Sequence, residues 1–387
     1  MESLRKIGSW CTGWGCTRKR RNRIKFSTLR NQQFNKNKPS YITHGATGFT
    51  FKNYTDPNKV MKVYFDSNRK KINMNYNKAN KISKITGNQR QLVQIVNDFT
   101  INDLPTNIPE DIRYRLPNSS LSVMRMPHLG IDLYTTIYDD NIIDRLRRSI
   151  PTLIIQCHKL MEQIDKMRRQ GLCHGDMRIE NIMIYPQTSA MTLIDFDFFG
   201  PFIDVFIQYS DIVNRSLVEI SQYIPPEFIC MKDIYDNTDN IEVFSRKYLN
   251  RSMLYFLECI GKDKKEAQNY FSESFTSNKT YIYSLLQSIN EKNDEARINE
   301  KISNTIMNYF DYFGFGMVMT IFFSRLYPVY PVKYNKSSSI EMILFRQTQK
   351  LLMSMCDFSI EKRSNPEEAL KKMEKIVSNI ANINNGH

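Results

Sequence analysis

His174-Gly175-Asp176-Met177-Arg178-Ile179-Glu180-Asn181, followed by Leu193-Ile194-Asp195-Phe196-Asp197, is the stretch from which the rest of the chain can be read. A carboxylate, Asp176, and an amide, Asn181, stand five residues apart, and a second carboxylate, Asp195, follows fourteen residues after the amide. Short β-branched and apolar runs predict strands over 181–184 and 191–194, around a turn at Pro186 to Ser189. Asp176 is then a loop residue and Asp195 ends a strand. That layout suits phosphoryl transfer. One Asp orients an attacking hydroxyl and accepts its proton, while Asn181 and Asp195 hold Mg²⁺ against phosphate oxygens, because a hard cation takes oxygen ligands.

Immediately upstream, Leu146, Ile150, Leu153, Ile154, Cys157, Leu160, Met161, Ile164 and Met167 recur at three- and four-residue spacings. They predict one long amphipathic helix over 144–169, stopped by Gly171. Further back, 42–51 and 59–64 read as two strands of a hairpin joined through Asp56-Pro57-Asn58, 73–98 as helical segments broken near Gly87, and 121–126 as a short strand ending at Pro127. Everything after Pro225 reads as helical. A polar, charged stretch covers about 232–306, and a strongly apolar segment starts at Tyr309. Strands first and helices second predict an α+β chain in two lobes.

The first hairpin carries Gly45-Ala46-Thr47-Gly48-Phe49-Thr50, and Val60-Met61-Lys62-Val63 lies on the strand after it. Glycines let a backbone approach phosphate oxygens and donate N–H groups to them. Such a turn alone is an ordinary hairpin, and its distance to Lys62 is what gives it meaning. Lys59 is the competing cation, but it lies at the strand edge. Downstream stand Pro225-Pro226-Glu227, 32 residues beyond Asp195, then Asp311-Tyr312-Phe313-Gly314-Phe315-Gly316, then Lys362-Arg363-Ser364-Asn365-Pro366.

In this order the segments resemble the protein-kinase-like superfamily over roughly 41–380. The first is similar to its catalytic loop H-R-D-x-x-x-x-N and the second to its D-F-G metal motif. The resemblance implies Asp176 as catalytic base, Asn181 and Asp195 as Mg²⁺ ligands, and Arg178 as the cation where the family usually carries a Lys. It implies ATP-binding roles for Gly45, Thr47, Gly48 and Lys62, and structural roles for Glu227, Asp311 and Arg363, with Arg363 paired to Glu227. The fold it implies is bilobal α+β: a small β-rich N-lobe over 41–126 and a larger α-helical C-lobe over 127–380. An insertion at about 232–306 interrupts the C-lobe, a basic arm covers 1–40, and a tail covers 381–387. ATP and Mg²⁺, or Mn²⁺, are the implied cofactors and a protein with Ser or Thr hydroxyls the implied substrate. The wording of the motifs, with the Asn-, Ile- and Lys-rich composition, is similar to kinase-like proteins of large DNA viruses.

Three departures bear on activity. Active family members pair the strand Lys with a helix Glu, yet no Glu lies between Lys62 and Glu110. Either Asn77 or Asn80 orients Lys62 instead, or nothing does. Gly175 stands where the family carries Arg, removing the cation that couples the catalytic loop to a phosphorylated activation segment, although Ser210, Ser216 and Ser221 lie there. Asp197 stands in place of Gly. His-Gly-Asp and Ile-Asp-Phe-Asp are also typical of aminoglycoside and choline kinase-like enzymes, so a small-molecule kinase is the alternative. A pseudokinase scaffold that binds nucleotide is the third reading.

Composition bounds the rest. The 387 residues include 23 Phe and 21 Tyr with 41% apolar residues, enough to bury a full core. No apolar run of transmembrane length is present, and 313–323 reads as a buried core helix. The first sixteen residues lack the apolar stretch of a secretory signal, which predicts an intracellular location, in host cytoplasm, virion or nucleus if the chain is viral, with its seven cysteines as free thiols. Net charge is +14, and residues 1–40 hold eleven Lys or Arg against the single Glu2. The cluster at 18–25 fits nucleic acid or an anionic surface, or a solvated arm. Oligomeric state is not legible.

Overall fold

The computed structural model describes residues 40–44, 48–52, 56, 58–65, 69–88, 93–96, 99–116, 121–215, 223–228, 230, 256–288, 295–328 and 339–384. The basic cluster at 18–25, Cys11, Cys16, Gly45, Thr47, Ser216 and Ser221 lie outside them. The chain is mixed α+β and divides into two compact units. The first takes its described residues from Met1–Lys81 and Gln89–His128, and the second from Ile82–Asn88 and Leu129–His387.

The first unit is built on a five-stranded antiparallel sheet. Its elements are β1 (Ser40–His44), β2 (Gly48–Lys52), β3 (Lys59–Tyr64), α1 (Arg69–Thr86), β4 (Gln94–Val96), α2 (Glu110–Arg113) and β5 (Ser122–Pro127), with strand order β1-β2-β3-β5-β4. Alternation sorts the two faces. Phe49, Phe51, Met61, Val63 and Val123 bury one face against Leu104, Ile108 and Ile112, and Tyr64 and Met124 bury the other with Ile72 of α1. Each such side chain contributes roughly 1.5–3 kcal/mol on leaving water. Two expectations change here. The strand expected over 42–51 is two paired strands, β1 and β2. Residues 94–96, expected to be helical, form an edge strand on β5, where Ile95 and Val96 gain ladder hydrogen bonds and a packed face. Gly87, at φ +71°, ends α1 as a left-handed cap.

The second unit continues with β6 (Ile131–Asp132), α3 (Leu133–Ile137), α4 (Asp140–Arg147), α5 (Ile150–Arg168), β7 (Leu172–Cys173), β8 (Ile182–Tyr185), β9 (Ala190–Leu193), β10 (Gly200–Pro201) and α6 (Phe202–Arg215). Among the described residues further along are the helices α7 (Lys264–Ser288), α8 (Glu295–Leu326), α9 (Ile340–Met355) and α10 (Pro366–Asn384). The single helix expected over 144–169 is two. Pro151 cannot donate within a helix, so it starts α5 afresh in the first turn after Ser149. From Phe310 to Phe323 α8 is buried on every side, and it packs on α9, α6, α4 and α5. Ser303–Leu326 is long and apolar enough to cross a membrane, but 89% of that window is buried inside the protein. Part of the polar stretch expected to be an insertion is core. On α7, Phe271, Phe275 and Ile282 are buried, and Asn278 donates to Phe358 O and accepts from Ile360 N. Among the described cysteines, Cys157, Cys173, Cys230 and Cys356 are buried thiols.

Candidate active site

In the second unit the chain leaves α5 through Gly171, crosses β7 and enters the loop His174-Gly175-Asp176, which a 3-10 turn at Ile179–Asn181 joins to the β8–β9 hairpin. The loop is held from beneath by α8. Asp311 accepts from His174 N at 2.6 Å through Oδ2 and from Gly175 N at 3.1 Å through Oδ1. Burial pushes the Asp311 carboxyl up to about 6, while those two bonds pull the other way.

His174 joins the loop to the strand that ends at Asp195. Its Nε2 lies 2.9 Å from Ile194 O, an obligate acceptor, so Nε2 carries the proton and Nδ1 accepts from Asp176 N at 3.3 Å. The ring is fully buried, and desolvation lowers its pKa to about 4 against the opposing pull of Ile194 O and Asp195. It is a neutral bridge. Ile194 N in turn donates to Asn181 O at 2.9 Å. Both backbone groups of Ile194 are therefore taken, one by each end of the loop.

Asn181 closes the loop on Asp176. Its Nδ2 donates to Asp176 O and to Asp176 Oδ2, each at 2.9 Å. Burial raises the Asp176 carboxyl to about 7; Arg178 opposes this, Asp195 adds to it, the Asn181 bond opposes it and Glu180 adds to it. The Asp176 side chain stays 19% accessible. Asp195 is exposed and sits at φ +61°, a left-handed conformation uncommon for a residue with a Cβ. Arg178 Nε lies 4.0 Å from Asp176 Oδ1 and 3.5 Å from Glu180 Oε2. Among the described residues no three His, Cys, Asp or Glu side chains gather as a metal cluster.

Gly175 has a structural reason. At φ +79° it is left-handed, and a Cβ there would meet Phe198 Cβ and O at 2.9 Å. Its carbonyl accepts a short hydrogen bond from the buried Tyr209 hydroxyl of α6, whose ring packs on Phe198, Phe228 and Phe310. Neither Tyr209 nor Glu180 has a role legible in the sequence. Tyr209 is 34 residues from its partner and carried no signal. Glu180 stood inside the motif, two residues from Arg178, and its charge was the available cue. Ser210 falls within α6, in the segment expected to be an activation loop.

The Glu227 and Arg363 side chains are fully buried and pair through two bonds of 2.5 and 3.0 Å. Arg363 Nε also donates to Asp357 O at 2.9 Å, and the guanidinium lies 4.8 Å from the Phe313 ring centroid.

The first unit holds the remaining expected residues. Gly48 opens β2 opposite Tyr64, and a Cβ on it would fall 2.1 Å from Val63 O, so the sheet itself demands glycine there. Lys62 lies in the middle of β3 between Thr50 and Met124, while Lys59 sits at the strand end. Asn77 is exposed and Asn80 half-buried. The buried amide of α1 is Asn75, whose Nδ2 lies 3.5 Å from Tyr64 Oη, and Lys62 Nζ lies 5.3 Å from the Tyr64 ring centroid. No family model and no curated protein matches this sequence.

Proposed function

We propose that this chain is a protein-kinase-like phosphotransferase that moves the γ-phosphoryl group of ATP to Ser or Thr hydroxyls of a protein, on a bilobal α+β scaffold. The observation that carries the reading is the hydrogen-bonded coupling of Asp176, Asn181 and the Ile194-Asp195 strand end. Asp176 accepts the proton of the attacking hydroxyl, and its Oδ1 is the oxygen left for that contact once Oδ2 has taken the Asn181 bond. Arg178, flanked by Asp176 and Glu180, presents a cation to the transferred group. Gly48 and Lys62 serve the nucleotide phosphates.

The donor set fits Mg²⁺, with Mn²⁺ as substitute. Asp195 offers an exposed carboxylate, and Asn181 retains Oδ1 after committing Nδ2 to Asp176. When bound, the cation supplies charge neutralisation at the phosphate oxygens. Two protein ligands suit an ion that keeps several waters and takes the rest from phosphate.

Incubating the protein with γ-labelled ATP and Mg²⁺, beside a generic protein substrate and a panel of small alcohols, tests the reading. Labelled protein is expected, and Asp176→Asn should reduce labelling by about 10²–10⁴-fold while nucleotide binding persists. Undiminished labelling by that variant would falsify the assignment. The His-Gly-Asp wording, with no room for a side chain at Gly175, favours a small-molecule kinase as second reading. Against it stands the buried Glu227–Arg363 pair, a protein-kinase feature by resemblance. Label on a small alcohol alone would establish that second reading, and ATP binding without turnover would make the chain a pseudokinase. We place the protein inside the cell, in host cytoplasm, virion or nucleus if it is viral, with the arm at 18–25 as a contact for nucleic acid or an anionic surface. A steep loss of that contact with added salt is the expected signature.

A further inference from the structure

Two glycines, Gly314 and Gly316, sit within the buried middle of α8, although glycine weakens a helix interior relative to alanine. Each has a close neighbour where a side chain would stand. A Cβ on Gly316 would fall 2.9 Å from Leu352 O and 3.0 Å from Met355 Cβ, so that glycine seats α9. A Cβ on Gly314 would fall 2.9 Å from Met177 Cβ and 3.0 Å from Met177 O, in the loop that carries Asp176 and Arg178. Gly314 lies three residues after Asp311, on the same face of α8. That face meets the loop twice. Asp311 accepts from His174 N and Gly175 N, and about one turn further on the bare backbone at Gly314 takes Met177. Met177 is buried, with its side chain in the core. It cannot rise without carrying Asp176 and Arg178 along, because one rigid peptide unit joins it to each.

We infer that Gly314 is a positioning residue for Asp176 and Arg178: the side chain it lacks sets the depth at which their loop lies on α8. For its effect on rate, this rests on the reading of Asp176 as catalytic base. The two contacts bracket that residue. Asp311 fixes the backbone ahead of Asp176, and Gly314 fixes it behind. Carbon atoms in ordinary contact stand about 3.5–4.0 Å apart, so a Cβ at 2.9 Å would move Met177 by roughly 0.6–1 Å. A displacement of that size is enough to spoil a reacting geometry.

Gly314→Ala is the test, and Gly316→Ala is the control that adds the same methyl on the α9 side. Two readouts are taken on each full-length variant. Hydrogen exchange of the peptide covering 172–177, read by mass spectrometry without nucleotide, reports how firmly the loop is held. It should quicken by about three- to tenfold in Gly314→Ala, the range that weakening a hydrogen bond represents, and stay within about twofold of wild type in Gly316→Ala. Steady-state labelling of protein from γ-labelled ATP should show kcat lowered by about 10- to 100-fold in Gly314→Ala with KM for ATP within about twofold. Gly316→Ala should keep both constants within about twofold. Loop exchange unchanged in Gly314→Ala would overturn the inference, as would a wild-type kcat in that variant or equal effects in Gly316→Ala. If the wild type labels nothing while loop exchange shifts as stated, the phosphotransferase reading fails and the seat at Gly314 stands. If Gly314→Ala does not fold, as judged by circular dichroism, adding Met177→Gly removes the Cβ that it strikes. A double variant that folds supports the contact, and one that also fails overturns the inference.

Discussion

Replacing Arg363 by Met would leave the Glu227 carboxylate in the core with nothing to balance it. In the native protein the two side chains are fully shielded from water and share a two-pronged charge-assisted contact, and Arg363 gives a third bond to Asp357 O. Methionine fills much of the same volume, so the loss is electrostatic rather than a cavity. Removing one partner of a buried pair costs about 3–5 kcal/mol, because the surviving ion keeps its desolvation penalty and loses its compensation. With a urea m-value of roughly 3 kcal/mol/M, suited to a chain larger than the small domains on which m is tabulated, the unfolding midpoint should fall by about 1–1.7 M. The double variant Glu227→Met with Arg363→Met removes both charges and should recover most of that loss, giving a coupling energy of about 3 kcal/mol. A single variant within ~1 kcal/mol of wild type would refute the reasoning. So would a double variant whose loss equals the two single losses added together.

His174 gives a pH test. Its pKa is about 4 in the folded chain and about 6.5 when unfolded, so the unfolded state binds the extra proton between those values. The stability this buried neutral ring contributes is complete above pH 6.5 and lost as pH falls towards 4. The stability gap between wild type and His174→Gln, measured by urea unfolding, should narrow by about 2 kcal/mol from pH 7 to pH 5, and a gap that stays constant would count against a buried neutral ring. Tyr209→Phe leaves Gly175 O without its buried donor and should cost about 1–3 kcal/mol in the same assay. A Tyr209→Phe variant as stable as wild type would mean that water or another group replaces the hydroxyl.

The site was more legible than the fold around it. Spacings within one loop survive folding, because the chain between Asp176 and Asn181 is too short to carry them apart, and the amide closes on the carboxylate at 2.9 Å. Apolar periodicity found α5 but ran through Pro151, since a proline in a first turn leaves the apolar stripe unbroken while starting a new helix. It also extended the helix of α1 through 94–96, where pairing with β5 outweighs local pattern. Beyond the Glu227–Arg363 pair that the resemblance implied, contacts between separated residues left no mark in the sequence. Nothing near Tyr209 signals that its hydroxyl will meet Gly175, and nothing near Asn75 signals Tyr64.

The two held peptides flanking Ile194 have a consequence for ligand affinity. With the Ile194 N–H given to Asn181 and the Ile194 carbonyl taken by His174, the peptides on both sides of this last residue before Asp195 are anchored before any ligand arrives. The ordering entropy of that strand end falls on folding and not on binding, which leaves more of each later contact visible as affinity. On the proposed reading of Asp195 as a Mg²⁺ ligand, substitutions at His174, which need touch no ligand, would act as affinity variants, weakening that hold by returning freedom to the peptide that precedes Asp195.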